Sequence, residues 1–357
     1  MIYYCTLFDS NYLSRGIALY ESLKIHSDSF HLYIVAFDND AADVLTKLNL
    51  EYVTVITLSD FEDEDLLAVK PTRTKGEYCW TCTPSIILYC IEKYRLDMCT
   101  YLDSDLYFFQ DPAVLVEEMK DNSVLLTLHR YTPKYDASVT SGLYCVQFMT
   151  FKNTPDGMTA LRWWRAACIE WCYFRMEDGK FGDQKYLDDW PTRFKGVHVL
   201  NHIGGGVAPW NVQRYEIDIL DKQLMIIEKA TNRKEPLVFY HFHGLKFCDH
   251  RKVFFNDYEL SNEVIKKIYF PYVDHLEKIK VNLHDKITFN PHGKNIADPL
   301  PLKRIIFWWI KDVLLGIKHF IDSIFFVSTK KRIRHANVYS VKKVQNKIKV
   351  DKERLLA

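Results

Sequence analysis

The sequence predicts an α/β fold built on a mostly parallel, Rossmann-like sheet with helices on its faces. Three observations carry this. Short apolar runs alternate with helical periodicities from residue 1 to about residue 110. The runs lack the polar–apolar alternation of half-exposed strands, as suits strands buried on both faces. One of them, residues 98–102, stops abruptly at two carboxylates, Asp103 and Asp105. Open α/β sheets bind ligands at such strand ends.

Residues 2–7 read as the first strand, with Phe8 to Tyr12 as its exit loop. Leu13, Ile17, Tyr20 and Leu23 then recur at helical spacing. A second strand covers residues 32–37 and ends in Asp38-Asn39-Asp40; a short helix (40–48) and a third strand (53–58) follow. No Gly-x-Gly-x-x-Gly follows the first strand, which excludes the dinucleotide fingerprint. Thr83-Pro84 predicts a helix start, with threonine as N-cap and proline in the first turn, and the helix runs to about Tyr94. Further strands are expected at 124–128, 143–151 and 236–243, and a Trp-rich helix at 161–172. Gly204-Gly205-Gly206 reads as a flexible loop. Beyond Pro299-Leu300-Pro301, Ile306, Ile310, Val313, Ile317, Phe320, Ile321 and Ile324 fall on one helical face.

Composition divides the chain in the same place. Of 357 residues, 48% are hydrophobic and 26% charged, a globular balance rather than a disordered one. Residues 303–357 hold 14 Lys/Arg against 4 Asp/Glu, whereas residues 1–302 hold 33 against 42. The expectation is a globular domain over 1–300 and an amphipathic, basic helical region over 301–357. Lys303, Lys311, Lys318 and Asp322 interrupt the apolar face, so no stretch there is apolar enough to span a bilayer. Trp308, Trp309 and Lys330-Lys331-Arg332 instead fit a helix lying on an anionic membrane surface over residues 303–334. The rival is a core helix followed by a solvated basic tail. Nucleic acid is not an expected partner, because the basic residues sit only at the end and no recognition motif accompanies them. Nine scattered cysteines, several inside apolar runs, read as reduced core residues, and Cys79-x-x-Cys82 has no second pair at zinc-ribbon spacing. The first residues carry neither a basic region nor a long apolar stretch, so no signal peptide is expected. Together these predict a cytoplasmic chain, peripheral on the inner face of the membrane.

Burying an unpaired carboxylate is costly, so Asp103 and Asp105 at the mouth of a buried strand call for a cation. On extended backbone both side chains of Asp-x-Asp point to one side and can share a hard divalent ion. A bare Asp-x-Asp is more often two solvated loop residues; the apolar runs on both sides weigh against that here. Asp9, Asn11 and Tyr12 close the first strand, and His241 and His243, on one face of a late strand, are both candidates to complete the coordination. Trp190, Trp210 and Asn211 are candidate acceptor contacts, and as core residues they would look the same.

These residues resemble the GT-A-fold nucleotide-sugar glycosyltransferases, closest to family eight. Tyr101-Leu102-Asp103-Ser104-Asp105 is similar to that family's Y-L-D-x-D, and Asp111-Pro112 follows as it does there. Asp9-Ser10-Asn11-Tyr12 is similar to its D-x-N-Y, and Asp183-Gln184 to its D-Q loop. His241, Gly244 and Lys246 resemble H-x-x-G-x-x-K, with the lysine one residue early. The family's arginine ahead of the D-x-D helix has no counterpart near Ile86, Arg73 and Lys75 being nearest, and Gly142-Leu143-Tyr144 replaces its Asn-Ala-Gly turn. The resemblance implies a GT-A fold, a Rossmann-like mixed sheet flanked by helices, over residues 1–250, and Mn²⁺ or Mg²⁺ held by Asp103, Asp105 and His241 or His243. It also implies a UDP-sugar donor held by Asp9, Asn11, Tyr12, Ser104 and Lys246, and Asp183 and Gln184 at the reacting sugar. Transfer to a glycan or lipid-linked acceptor with retention, in surface polysaccharide synthesis, completes the implied activity. The rivals are a haloacid-dehalogenase-type phosphatase, whose Asp-x-Asp is followed by a small polar turn rather than Leu106-Tyr107-Phe108-Phe109, a sugar nucleotidyltransferase, and a non-catalytic sugar-binding protein of the same fold.

Overall fold

The computed structural model describes residues 1–296, 333–334 and 336–356. It begins with β1 (Ile2–Phe8), α1 (Leu13–His26), β2 (Phe30–Ala36), α2 (Asn39–Leu48) and β3 (Val53–Thr57), the three strands running parallel. α1 packs so closely on β1 that a Cβ at Gly16 would fall on the Phe8 ring. Asp38 caps α2 by accepting from Ala41 N at 2.9 Å.

α3 (Lys75–Tyr94) begins at Lys75, not after Thr83. Thr74 and Glu77 form a capping box there: Glu77 Oε2 accepts from Thr74 N at 2.8 Å while the Thr74 hydroxyl accepts from Glu77 N. Pro84 therefore lies inside the helix, where it lacks the N–H of the regular ladder. Threonine hydroxyls next to it bond back to the preceding turn, Thr81 to Glu77 O at 2.8 Å and Thr83 to Cys79 O at 3.3 Å.

Then come β4 (Met98–Leu102), β5 (Leu106–Phe108), β6 (Val124–Leu128) and β7 (Tyr144–Lys152). α4 (Pro155–Glu170) starts earlier than residue 161 because Thr154 caps it and Pro155 opens it; β8 (Val197–Val199) follows. The main sheet runs β3-β2-β1-β4-β7-β6-β8, with β7 antiparallel to both neighbours and the other pairings parallel. It is the mixed sheet flanked by helices that the resemblance implies. One core cluster gathers residues of α1 with later helices, and another gathers Ile86, Ile87, Trp164 and Trp190. Trp190 is wholly buried among Phe151, Trp163 and Trp164, away from any opening.

β9 (Tyr215–Leu220), β10 (Gln223–Glu228) and β11 (Lys234–Pro236) form a separate antiparallel sheet. The strand expected over 236–243 is split: Pro236 closes β11, and β12 (Phe239–His241) pairs with β5 instead. Gly204 to Gly206 are buried, and the loop is close-packed rather than flexible. A Cβ at Gly204 would collide with Pro236 O, and one at Gly205 would lie 2.7 Å from Leu200 Cδ2.

The chain continues with β13 (Lys246–Cys248), β14 (Lys252–Phe254) and α5 (Phe270–Leu283), and closes with β15 (Val338–Ser340) and α6 (Val341–Leu356). β15 adds a third strand beside β14, Val344 is wholly buried, and Asn337 Nδ2 donates to Asn256 O and Tyr258 O at 2.9 and 2.7 Å. The expected interfacial helix over 303–334 lies, but for Ile333 and Arg334, outside the described residues. Among the described residues no helix is long and apolar enough to cross a membrane. All nine cysteines are free thiols, eight of them buried.

Gly16→Ala forces Phe8 off its packed position. Overpacking of this kind costs ~1–3 kcal/mol, which thermal denaturation of the two proteins will read as a lowered Tm.

Candidate active site

The main sheet changes winding direction between β1 and β4: β2 and β3 lie to one side of β1, and β4 to the other. At the carboxyl ends of these two neighbours the crevice opens. It is a pocket of about 640 Å³ lined by Asp9, Asn11 and Tyr12 from the loop after β1, by Asp103, Ser104 and Asp105 from the turn after β4, and by Asp183, Gln184, His241 and His243. Ten of the residues marked in the sequence thus meet in one cavity. Lys246 does not line it: it opens β13, exposed, facing Phe254 across the strand pair.

Asp103 and Asp105 do not sit on extended backbone. They occupy the turn between β4 and β5, closed by Leu106 N donating to Asp103 O at 3.1 Å. The turn is pinned from both sides, by Asp103 N to Gln147 O and Phe242 N to Asp105 O, each 2.9 Å. Pairing of β12 with β5 sets His241 opposite Leu106 and brings its ring to the carboxylates. His241 Nε2 lies 3.1 Å from Asp105 Oδ1 and 3.8 Å from Asp103 Oδ2. Ligand atoms of all three residues fall within 4.8 Å of one another.

The charges in this group are held out of balance. Burial pushes Asp103 up to about 6, and the neighbouring Asp105 charge pushes the same way, against His241. Asp105 is the more buried of the two, yet His241 beside it draws it down to about 2. Burial disfavours charge on His241, but the two aspartates outweigh that and hold it well above the usual histidine range. Two carboxylate oxygens and one imidazole nitrogen, close together and facing an open pocket, fit a divalent ion that leaves room for further ligands. His243 is not in this group: its ring projects into the pocket, packed edge-on against Trp210 and His241. Of the two histidines left open by the sequence, the geometry brings His241 to the aspartates. Cys5, Cys90 and Cys99 also converge within 4.8 Å, but all are wholly buried in the core.

Facing the acidic group, Asp9 is locked by its own turn, accepting from Asn11 N at 3.0 Å and Asn11 Nδ2 at 2.9 Å, and it pairs with Lys75. Asp38 fixes the same loop through Ser10 N and Ser10 Oγ. Arg15, buried beneath, donates to Leu245 O at 2.9 Å, His292 O at 3.2 Å and Asn11 O at 3.4 Å, and its guanidinium stacks on Tyr12. One side chain thereby ties the first loop to the segment after His241. Arg15 carries no signal of this role in the sequence, because it falls inside a helical pattern as an ordinary polar position.

On the remaining wall, Asp183 is almost wholly buried, with its carbonyl accepting from Trp164 Nε1 at 2.8 Å. Burial first, and then the Asp103 charge, push its carboxyl up to about 8. Two aromatic clusters line the pocket, Trp80 with Phe174 and Phe181, and Trp210 with Tyr131 and Tyr258. Of the expected acceptor contacts only Trp210 is here. Asn211 is a buried brace, donating to His129 O at 2.7 Å and Gly206 O at 2.8 Å.

The chain is 34% identical over 284 residues to YfnD of Bacillus subtilis (strain 168), an alignment covering 77% of this chain and 89% of that one. It is 31% identical over 251 residues to YfnF of the same organism, covering 68% and 81%. Both relatives are uncharacterized. No protein-family profile matches. Among solved structures it is similar to the galactosyltransferase LgtC in complex with donor and acceptor sugar analogues, at 12% identity, 80% of this chain, 100% of that chain and TM-score 0.48. It is also similar to mouse xyloside xylosyltransferase 1 in its apo form, at 13% identity, 68% and 97% coverage and TM-score 0.43.

A carboxyl raised to about 8 in the folded chain binds its proton more tightly there than in the unfolded chain, where about 4 is usual. Native stability therefore falls as pH rises from about 4 to 8, by on the order of a few kcal/mol for this group. Asp183→Asn removes that loss. In metal-free protein it will raise Tm by roughly 5 °C at pH 8 and leave it unchanged near pH 4.

Proposed function

The chain belongs to the family of the Bacillus subtilis proteins YfnD and YfnF, and we propose that it is a metal-dependent glycosyltransferase taking a UDP-sugar. The observation that carries this is the meeting, at one sheet crevice, of the Asp103–Asp105–His241 group with the Asp9–Asn11–Tyr12 loop. An ion held by the first group and a nucleotide held by the second would lie in one pocket, which suits a nucleoside diphosphate. A mixed set of carboxylates and imidazole favours Mn²⁺ over the more strictly oxygen-seeking Mg²⁺. When bound, the ion supplies charge to neutralise the diphosphate that leaves.

The residues then divide the work. Asp9 and Asn11, fixed by their mutual hydrogen bonds, present polar edges to the base and ribose, and Tyr12 offers a ring face. Ser104 and the turn backbone border the diphosphate. Asp183 and Gln184 face the donor sugar from the opposite wall and orient its hydroxyls. An amide is a poor nucleophile, so Gln184 near the anomeric carbon favours displacement from one face, with retention, over a covalent glycosyl-enzyme. Trp210, Tyr131 and Tyr258 form an apolar face for the ring of a glycan or lipid-linked acceptor, as in surface polysaccharide assembly. The basic stretch over 303–334 holds the protein to the anionic cytoplasmic face of the membrane.

A screen of UDP-sugars will find Mn²⁺-dependent release of UDP. Charge stabilisation of several kcal/mol corresponds to ~10²–10³-fold in rate, so Asp103→Asn and Asp105→Asn will each lose at least that. Release undiminished in both variants refutes the metal assignment. A non-catalytic sugar-binding chain would release UDP with none of the donors.

For the membrane, deletion of the whole tail is a poor test, since β15 and Val344 pack into the domain. Changing Lys330, Lys331 and Arg332 to Ala removes about 1 kcal/mol each, so flotation on anionic vesicles will weaken ~100-fold and binding to neutral vesicles will not change.

A further inference from the structure

We propose that Gln147 is the positioning residue that holds the His241 ring with Nε2 turned to Asp103 and Asp105, and thereby sets the affinity for the divalent ion. This rests on the reading above only in taking those three residues as ligands. Gln147 lies in the middle of β7, wholly buried in a strand that is otherwise nearly all apolar. Its Oε1 is 2.7 Å from His241 Nδ1. A carbonyl oxygen only accepts, so Nδ1 carries a proton and the ring nitrogen facing the carboxylates is Nε2. The backbone carbonyl of the same residue accepts from Asp103 N at 2.9 Å. One residue thus orients two of the three ligands.

The other half of the amide shows what the position is for. Among the described residues, Gln147 Nε2 is buried with no hydrogen-bond partner. A glutamine kept for packing alone would be better replaced by methionine or leucine, which strand no polar atom. Turning the amide over would aim N–H at Nδ1, move the ring proton to Nε2 and block the side that faces the aspartates. The space around the amide is closed. At Gly206 (φ +92°) a Cβ would lie 2.7 Å from Thr127 Cγ2 and 3.3 Å from Gln147 Nε2. Trp210 packs edge-on to His241 at 5.3 Å, and the Cys145 thiol is within reach of the ring. Histidines that bind metal ions commonly have their second nitrogen fixed by such an outer partner, whose loss weakens binding ~10–100-fold.

The test compares Gln147→Met, which removes the acceptor, with Gln147→Glu, which keeps an acceptor oxygen. Mn²⁺ affinity is read from electron paramagnetic resonance of the free ion, with and without UDP, and Tm is measured in chelator. Gln147→Met will bind Mn²⁺ ~10–100-fold more weakly at unchanged Tm, and Gln147→Glu will stay within about threefold of the parent. Long-range ¹H–¹⁵N spectra of the Zn²⁺-loaded parent will show His241 protonated at Nδ1. A Gln147→Met protein with parental affinity, beside an Asp103→Asn protein that has lost it, overturns the role of Gln147 alone. Parental affinity in Asp103→Asn overturns the ligand assignment itself. Should Gln147→Met fail to fold, the spectrum of the parent decides, and a proton on Nε2 of the loaded protein contradicts the proposal.

Discussion

Two carboxylates lodged beside each other at the end of a buried strand are the constraint on which this molecule turns. Desolvation holds Asp103 up at about 6, whereas Asp105, two residues on in the same turn, is drawn down to about 2, chiefly by His241 against it, with His243 and Arg15 adding to the pull. The nearest lysine on the pocket wall, Lys75, is engaged by Asp9. Among the described residues one histidine is thus the only cation paired with the two carboxylates, and a further cation joining them lowers the cost of keeping Asp103 charged.

The fold can be read as the means of holding that arrangement. β1 and β4 deliver Asp9 and Asp103 to adjacent positions because they are neighbours in the sheet although far apart in sequence. The antiparallel β7 supplies Gln147, which bonds to the backbone of one ligand and the ring of another. β12 brings His241 in through its pairing with the short β5, and Arg15 fastens the loop after it to the loop after β1. The late strand β15 reaches this machinery too, since Asn337 braces the backbone of Tyr258 on the pocket wall.

Much of this was legible in the sequence, and the reasons are local. Unbroken apolar runs mark buried strands whatever surrounds them, so β1 to β4, β6 and β7 fall near their expected positions. Asp9, Asn11, Asp103 and Asp105 stand out as polar residues punctuating such runs. The errors arose where two local signals competed or where tertiary contacts decide. Thr83-Pro84 looked like a helix start, but the Thr74–Glu77 capping box a few turns earlier governs α3. Three glycines in a row looked like freedom, and are instead required for close approach to Pro236, Leu200 and Thr127. Arg15, Gln147 and the burial of Trp190 have no sequence signature at all: each depends on partners tens or hundreds of residues away.

The most direct measurement of the central claim is anomalous scattering at the manganese edge from a crystal grown with Mn²⁺ and UDP. One strong peak is expected, bounded by carboxylate oxygens of Asp103 and Asp105 and by His241 Nε2, with the diphosphate against it and the base beside Asn11 and Tyr12. Nucleotide bound with no peak there, or with the two carboxylates turned out to solvent, would contradict it.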